Sequence, residues 1–168
     1  FNFLMSDAEN LDYIRNMKLI FLSGEQLPSN ILENVQKVAK DSEIYDMYGP
    51  TETTIFSTHK NLTNEKKVTI GKPISNTNVY VLDNNMNMVP INVPGKLYIG
   101  GKGVTKGYLN RPELTAERFI EYNGDYVYDT GDLAKINSNY ELECLGRSDF
   151  QVKIRGLRIE LGEIEKQM

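Results

Sequence analysis

The sequence is poor in the side chains on which several common kinds of site depend. It has one cysteine, Cys144, and one histidine, His59, among 168 residues. One cysteine excludes an internal disulfide framework and suits a reducing compartment, so we expect a cytoplasmic protein. His59 has no cysteine or paired acid near it in sequence, which favours a surface or strand-packing position over a ligand or a base. Cys144 stands in an apolar segment and is expected to be a small buried hydrophobic residue.

The sequence also lacks long apolar runs and an excess of positive charge. No run approaches the ~20 apolar residues that a membrane-spanning helix needs, so we expect no membrane partner. A net charge of -4 and a pI near 5.1 argue against a nucleic-acid partner, because such proteins usually present a basic face. With 40% hydrophobic residues, the chain can bury the core of one domain.

Both ends of the chain resemble cuts in a longer sequence. The chain begins at Phe1 without an initiator methionine, and it ends at Met168, three residues after a densely charged segment. From these ends we expect a fragment of a larger protein.

The first 60 residues predict an alternation of helix and strand. Residues 6–9 have the spacing of a capping box and begin a short helix. Residues 19–22 form a continuous apolar run typical of a buried strand, and residues 44–47 predict a second strand. Between them, Pro28 precedes an apolar stripe with helical spacing. This order predicts the edge of a layered α/β sheet with parallel strands.

The residues after about position 60 predict a different architecture. Turn clusters separate strand-like segments at residues 79–82, 96–99, 126–128 and 141–145. Residues 115–119 are the only short helix that we predict there. We therefore expect an α/β part in residues 1–60, a small distorted antiparallel β-barrel in residues 61–148, and a hinge with the start of a C-terminal subdomain in residues 149–168.

A polar loop at residues 48–54 directly follows the second strand. Its threonine hydroxyls and backbone N–H groups suit phosphate oxygens, and the carboxylate of Glu52 suits Mg²⁺. The loop also lies at the C-terminal end of a strand, where open α/β sheets place ligands. A plain turn that leads into a threonine-rich strand explains the same residues equally well.

Two other segments have features that suggest a nucleotide-binding site. Asp132 follows a glycine at the end of a strand, where a carboxylate either accepts both hydroxyls of a ribose diol or serves only as a turn former. Residues 100–108 are rich in glycine, but their spacing matches neither the dinucleotide fingerprint nor a P-loop. We expect a structural turn there, in which glycine allows backbones to cross closely.

The charged segment at residues 146–165 alternates polar and apolar side chains. As a strand, it places Val152 and Ile154 on one face and a polar row that includes Lys153 on the other. Three glycines in the segment favour tight turns and a pivot over a plain solvated face.

Four motifs in order give the sequence a family likeness. They are the loop at residues 48–52, the segment at residues 95–109, the segment at residues 130–133 and the run at residues 146–165. Together they resemble adenylate-forming ligases of the AMP-binding superfamily, and most closely the amino-acid adenylation domains of nonribosomal peptide synthetases. The likeness covers essentially the whole chain. The last motif is the most specific, because acyl-CoA synthetases and luciferases of the superfamily look different there.

The resemblance implies an enzyme that activates an amino acid with ATP and Mg²⁺. In that reaction the substrate carboxylate attacks the α-phosphorus of ATP, pyrophosphate leaves and an aminoacyl-AMP forms. The phosphopantetheine thiol of a peptidyl carrier protein then takes the acyl group. The implied partners are an amino acid and a carrier protein, and the implied setting is secondary metabolite biosynthesis.

The resemblance assigns the loop after the second strand to ATP. Tyr48 would pack against adenine, with Gly49 beside it in the same site. Thr51 would contact the α-phosphate as a catalytic residue. Glu52 would hold Mg²⁺ and is also implied to be catalytic.

The resemblance assigns later residues to the ribose and to the second half-reaction. Asp132 would bind the ribose hydroxyls, and Arg147 would also reach the ribose. Asp149 resembles the hinge between the large and small subdomains. Lys153 resembles a catalytic residue of the face that forms the thioester.

Five positions match those that line the amino-acid pocket of the family. They are Phe21, Ser23, Met47, Ile55 and Phe56. Four of the five are large and apolar, so the resemblance implies a hydrophobic substrate side chain. Such pockets discriminate by only about 1–3 kcal/mol per methylene.

Some parts of the family pattern are missing from this sequence. They are an upstream phosphate loop, an upstream aspartate for the substrate amino group and a downstream catalytic lysine. Loss of one preorganised charge-stabilising group typically costs ~10²–10³ in rate, so we expect the fragment alone to be inactive. Cys144 also stands where the family commonly has an aromatic residue, so the resemblance does not define the nucleotide packing beside Leu145.

Other functions remain open at this point. A D-alanine–carrier-protein ligase, or another acyl adenylate-forming ligase, shares the core motifs and the chemistry. A non-catalytic interaction module would keep the fold without turnover. Because the first part supplies only a portion of a sheet, we also expect an exposed edge through which two copies could pair.

Overall fold

The computed structural model describes residues 8–148, 152–154 and 157–159, and most of the described strands belong to two sheets. The elements in chain order are α1 (Ala8–Arg15), β1 (Leu19–Ser23), α2 (Ser29–Val38), β2 (Glu43–Tyr48), a 3₁₀ turn (Thr51–Thr53), β3 (Thr58–Asn61), β4 (Lys72–Pro73), β5 (Thr77–Leu82), β6 (Gly95–Gly101), α3 (Pro112–Arg118), β7 (Phe119–Tyr122), β8 (Asp125–Ile136), β9 (Leu142–Arg147), β10 (Val152–Ile154) and β11 (Leu157–Ile159).

The first sheet has the strand order β1-β2-β3-β4. β1 and β2 are parallel and are connected by α2, which confirms the predicted α/β arrangement. β3 and β4 then add antiparallel strands to the other side of β2. Among the described strands, β1 and β4 form the two ends of this sheet.

Helices α1 and α2 cover one face of the first sheet. Leu22 and Ile44 of the strands pack there against Leu32 and Val35 of α2, and all four are nearly inaccessible. Because successive residues of a strand point to opposite faces, this burial leaves Phe21 of β1 on the open face. Within the described part of the chain, no helix is long and apolar enough to cross a membrane.

The second sheet is antiparallel throughout and has the order β5-β6-β8-β7, with β9 also paired to β8. Its register shifts between Lys96 and Tyr98 and again between Leu133 and Ala134. Such irregularities increase twist and bend a sheet. The sheet is curled like half a barrel, which confirms the expected distorted antiparallel subdomain.

The predicted short helix begins three residues earlier and ends one residue earlier than expected. It spans Pro112–Arg118 because proline suits the first helical position, where no N–H donor is needed. Phe119 belongs to β7 instead, where its ring is buried beside Tyr128 at a centroid distance of 5.0 Å. The expected strand at Val152–Ile154 is confirmed and pairs antiparallel with β11.

Gly71 joins the two sheets at a point where their backbones approach closely. Its carbonyl accepts a bond of 2.7 Å from the N–H of Leu142, whose own carbonyl accepts one of 3.0 Å from Ile70. A Cβ atom at Gly71 would overlap the carbonyl oxygen of His59. Only glycine therefore fits against β3 at the point where the chain pairs with Leu142 of the second sheet.

We predict that Gly71→Ala destabilises the protein by more than about 4 kcal/mol, the range typical of severe local strain. Gly124→Ala is the matched control, because Gly124 has a similar φ of +78° against +74° but open space around its Cβ position. The control should lose only about 1–2 kcal/mol, the cost of a left-handed conformation. Urea denaturation followed by circular dichroism measures both changes. Equal losses in the two variants would contradict the close-approach argument.

Candidate functional site

A cavity of about 830 Å³ lies between the two sheets. Its walls are residues 24–29 after β1, residues 46–49 at the end of β2, residues 67–70 before β4, Asp132 of β8, and Cys144, Gly146 and Arg147 of β9. The volume is within the range of cavities that hold small molecules. The carboxyl ends of parallel strands β1 and β2 both lead to it, as in other open α/β sheets.

The Asp132 carboxylate is the centre of the polar wall. It is only 9% exposed, and its two oxygens have different partners. The hydroxyl of Tyr48 donates to Oδ2, and Nη1 of Arg147 donates to Oδ1 at 3.0 Å. Burial, together with the nearby charge of Asp132, raises the pKa of Tyr48 well above its usual value. Tyr48 is therefore a neutral donor at physiological pH.

The local backbone explains why Asp132 and Arg147 meet. The two residues are directly opposite in the β8–β9 register. Gly131 has a φ of +71°, which turns the backbone just before Asp132. The hydroxyl of Thr130 accepts a hydrogen bond of 3.0 Å from the N–H of Asp132, which stabilises the turn.

The threonine loop, which we define as residues 49–57, is folded tightly on itself. A Cβ atom at Gly49 would lie 2.5 Å from the carbonyl oxygen of Ile55. The hydroxyls of Thr53 and Ser57 lie 2.6 Å apart. Ile55 has a φ of +71°, which is a strained conformation for a β-branched residue. Such strain often accompanies functional sites, where the surrounding structure maintains it.

Thr51 and Glu52 lie on this loop but outside the walls of the cavity. Thr51 is exposed, whereas Glu52 is only 7% exposed and accepts a 2.7 Å bond at Oε1 from the hydroxyl of Tyr108. The four residues expected beside adenosine, in contrast, all line the cavity: Tyr48, Gly49, Asp132 and Arg147. The structure thus places the four expected adenosine contacts around one cavity, and Thr51 and Glu52 follow on the adjoining loop.

The donors on the threonine loop fit Mg²⁺. Thr51 and Glu52 offer a hydroxyl and a carboxylate, which are the hard oxygen ligands that this ion prefers. Across the described residues, no three His, Cys, Asp or Glu side chains form a metal cluster.

Three of the expected substrate-pocket residues share the open face of the first sheet. Phe21 and Ser23 alternate with buried residues in β1, and Met47 is directly opposite Ser23 in β2. Met47 also lines the cavity. Ile55 is 61% exposed and Phe56 is half-buried, both at the far end of the threonine loop.

The expected hinge and thioester residues belong to the C-terminal part of the chain. Asp149 lies outside the described residues. Lys153 lies in β10, but its side chain is outside the described part of the structure.

The burial predicted for the single cysteine is wrong, whereas the exposure predicted for the single histidine is confirmed. Cys144 is half-buried instead of fully buried, because it packs against a cluster of buried apolar residues that includes Leu97 and Leu142 and also lines the cavity. His59 is exposed on β3, as expected, and its ring lies 6.2 Å from that of Tyr45.

Asp46 is a cavity residue that was not among those predicted from the sequence. It lines the cavity and is only 4% exposed. Burial raises the pKa of its carboxyl group to about 6, with a smaller opposing effect from a backbone hydrogen bond at Met47. The sequence feature that could have identified Asp46 is the alternation of β2, which puts Asp46 on the same face as buried Ile44.

Ion pairs join the cavity wall at residues 67–70 to β9. Lys67 and Lys135 both contact the carboxylate of Glu143, which lowers its pKa to about 2, mainly through the hydrogen bond from Lys67. Nearby, Lys60 pairs with Glu141. Because these groups are partly exposed, we interpret them as aligning the wall more than as stabilising the fold.

Comparison with known protein families gives a match over most of the chain. The family model of the AMP-binding enzyme matches residues 1–109. The chain is 45% identical over 170 residues to tyrocidine synthase 3 of Brevibacillus parabrevis, a match that covers 98% of the chain and 3% of the relative. It is 43% identical over 163 residues to gramicidin S synthase 2 of Aneurinibacillus migulanus, covering 95% of the chain and 4% of the relative.

Solved structures agree with the sequence relatives. The fold matches that of holo-PA1221, described as an NRPS protein containing adenylation and PCP domains and bound to a vinylsulfonamide inhibitor. The TM-score is 0.86 at 28% identity, and the match covers 94% of this chain and 29% of that one. The chain therefore spans a small share of the proteins that it matches.

We predict that Asp46→Asn changes how stability depends on pH. Because burial raises the folded-state pKa from 3.8 to about 6, the protonated form favours folding, and this contribution is lost as pH rises through about 6. Asparagine cannot ionise, so the variant should exceed the wild type by about 2–3 kcal/mol near pH 8, with the difference shrinking towards pH 4. Urea denaturation at a series of pH values tests this. A difference that does not vary with pH would contradict it.

Proposed function

The chain belongs to the AMP-binding enzyme family, and on that premise we propose that it supplies the adenosine-binding part of an amino-acid adenylation domain. In the proposed reaction, an amino-acid carboxylate attacks the α-phosphorus of ATP and pyrophosphate leaves. The aminoacyl group then passes from AMP to the phosphopantetheine thiol of a peptidyl carrier protein. The resemblance to peptide-synthetase adenylation domains supports this class of reaction. The same proposal assigns the protein to the cytoplasm, where ATP and Mg²⁺ are abundant.

The observation that carries the proposal is the position of Asp132 in the cavity wall. A carboxylate has about four acceptor sites, so its bonds to Tyr48 and Arg147 leave capacity for the two hydroxyls of a ribose. Tyr48 also presents an aromatic ring to the cavity, which suits the face of a purine base. These three residues thus provide contacts for both halves of adenosine.

The triphosphate belongs on the threonine loop in this proposal. Thr51 is exposed there and would contact the α-phosphate, and Glu52 would hold Mg²⁺. The ion would supply charge neutralisation at the phosphates when bound. Asp149 and Lys153 keep their proposed roles as the hinge and as part of the thioester-forming face.

We further propose that the amino acid has a hydrophobic side chain. Phe21 and Met47 lie on the open face of the first sheet, and Met47 also lines the cavity. Ile55 is exposed at the end of the threonine loop. Apolar surfaces of this kind favour apolar ligands, because contact removes both surfaces from water.

We predict that Asp132→Asn weakens AMP binding by roughly tenfold to a hundredfold, since each charged hydrogen bond to the ribose is worth about 1.5–3 kcal/mol. Isothermal titration calorimetry with AMP measures the loss. Asp125→Asn is the matched control, because Asp125 also accepts hydrogen bonds on β8, from Asn78 and Tyr80, but lies away from the cavity. Unchanged affinity in Asp132→Asn, or equal losses in both variants, would contradict the proposal.

We predict that the full-length protein catalyses ATP–pyrophosphate exchange with a hydrophobic amino acid as its best substrate. A panel of the common amino acids and D-alanine measures this preference. A charged amino acid as the best substrate would contradict the hydrophobic pocket. D-Alanine as the best substrate would identify a carrier-protein ligase, and no exchange with any compound would favour a non-catalytic module.

A further inference from the structure

The glycine-rich segment at residues 100–108, which we call the glycine loop, packs directly on the threonine loop. The N–H of Thr105 donates to the carbonyl of Glu52 at 2.9 Å, and the hydroxyl of Thr54 donates to the carbonyl of Gly103 at 2.6 Å. A Cβ atom at Gly103 would lie 2.9 Å from the carbonyl oxygen of Thr53, which explains the glycine. The turn is structural, as expected, but it is also docked on the loop that bears Glu52.

Tyr108, at the end of the glycine loop, contacts the Glu52 side chain itself. Its hydroxyl donates to Oε1 of Glu52 at 2.7 Å and lies 3.4 Å from the hydroxyl of Tyr128. The Tyr108 N–H donates to the hydroxyl of Thr115 at 2.9 Å, and its ring packs edge-on against Phe119. The backbone hydrogen bond to Thr115 and the ring contact with Phe119 together hold the Tyr108 side chain in place.

We propose that Tyr108 is a positioning residue that orients the Glu52 carboxylate towards a divalent cation bound with ATP. This inference rests on the proposed function. A neutral phenol binds one carboxylate oxygen without cancelling its charge, whereas a lysine or arginine in its place would compete with the cation. Glu52 is only 7% exposed. Rotation of its side chain would break the hydrogen bond from Tyr108 at a place where water cannot replace it, so a change of orientation is costly. Preorganised ligands bind more tightly, since the ordering cost is met during folding.

The test compares ATP affinity with Mg²⁺ and with EDTA in the full-length protein. In Tyr108→Phe we expect the gain in ATP affinity from Mg²⁺ to fall roughly tenfold, the size of a lost charged hydrogen bond. Affinity in EDTA should stay within about twofold, because the adenosine contacts are untouched. Tyr80→Phe is the matched control: it removes a phenol–carboxylate bond of 3.1 Å to Asp125, away from both loops.

A double-mutant cycle with Glu52→Gln separates positioning from general stability. If Tyr108 acts through Glu52, adding Tyr108→Phe to Glu52→Gln should not reduce the Mg²⁺ effect further. Additive losses would overturn the inference, as would an unchanged Mg²⁺ effect or equal losses in Mg²⁺ and EDTA. Those results would leave the proposed function intact. Failure of the wild-type protein to bind ATP or AMP would overturn the proposed function and this inference together.

Discussion

The hydrogen-bonded carboxylate of Asp132 is the contact on which the candidate site depends. It accepts bonds from Tyr48 of the first sheet and Arg147 of β9, so one charged group joins three strands that belong to both halves of the structure. A buried carboxylate is costly without partners, and removal of either donor would leave its charge poorly compensated. The arrangement therefore keeps the cavity wall in one geometry and keeps a charge available where the two sheets meet.

Close backbone approaches make that geometry possible. Gly71 allows the chain to lie against the backbone of β3 where it pairs with Leu142 of the second sheet, and Gly103 allows the glycine loop to lie on the threonine loop. A side chain at either place would crowd a carbonyl oxygen, so it would force the neighbouring backbones apart. Polar contacts such as that between Tyr108 and Glu52 are then held to hydrogen-bond length by the packing of whole segments. The site is thus a product of backbone packing as much as of its functional side chains.

Local patterns predicted much of the fold but only part of the site. The apolar run of β1 and the stripe of α2 predicted the α/β part, and turn clusters predicted the antiparallel part. The helix before β7 was misplaced because burial of Phe119 outweighed its local helical context. Asp46 was missed although its alternation with Ile44 was visible, since an acid at an inward strand position contradicts the usual preference for exposure. Tyr108 gave no local signal, because its partner is 56 residues away in sequence.

The amino-acid sequence by itself determined the two-part architecture, the family likeness and the identity of the residues expected beside adenosine. These follow from periodicity and from motifs whose residues are close together in the chain. Only the tertiary structure decided that Tyr48 reaches Asp132 across 84 positions, and that Glu52 accepts a hydrogen bond from Tyr108 across 56 positions. Such contacts arise from how two sheets cross and bury their faces, and local spacing does not encode the distance between residues so far apart.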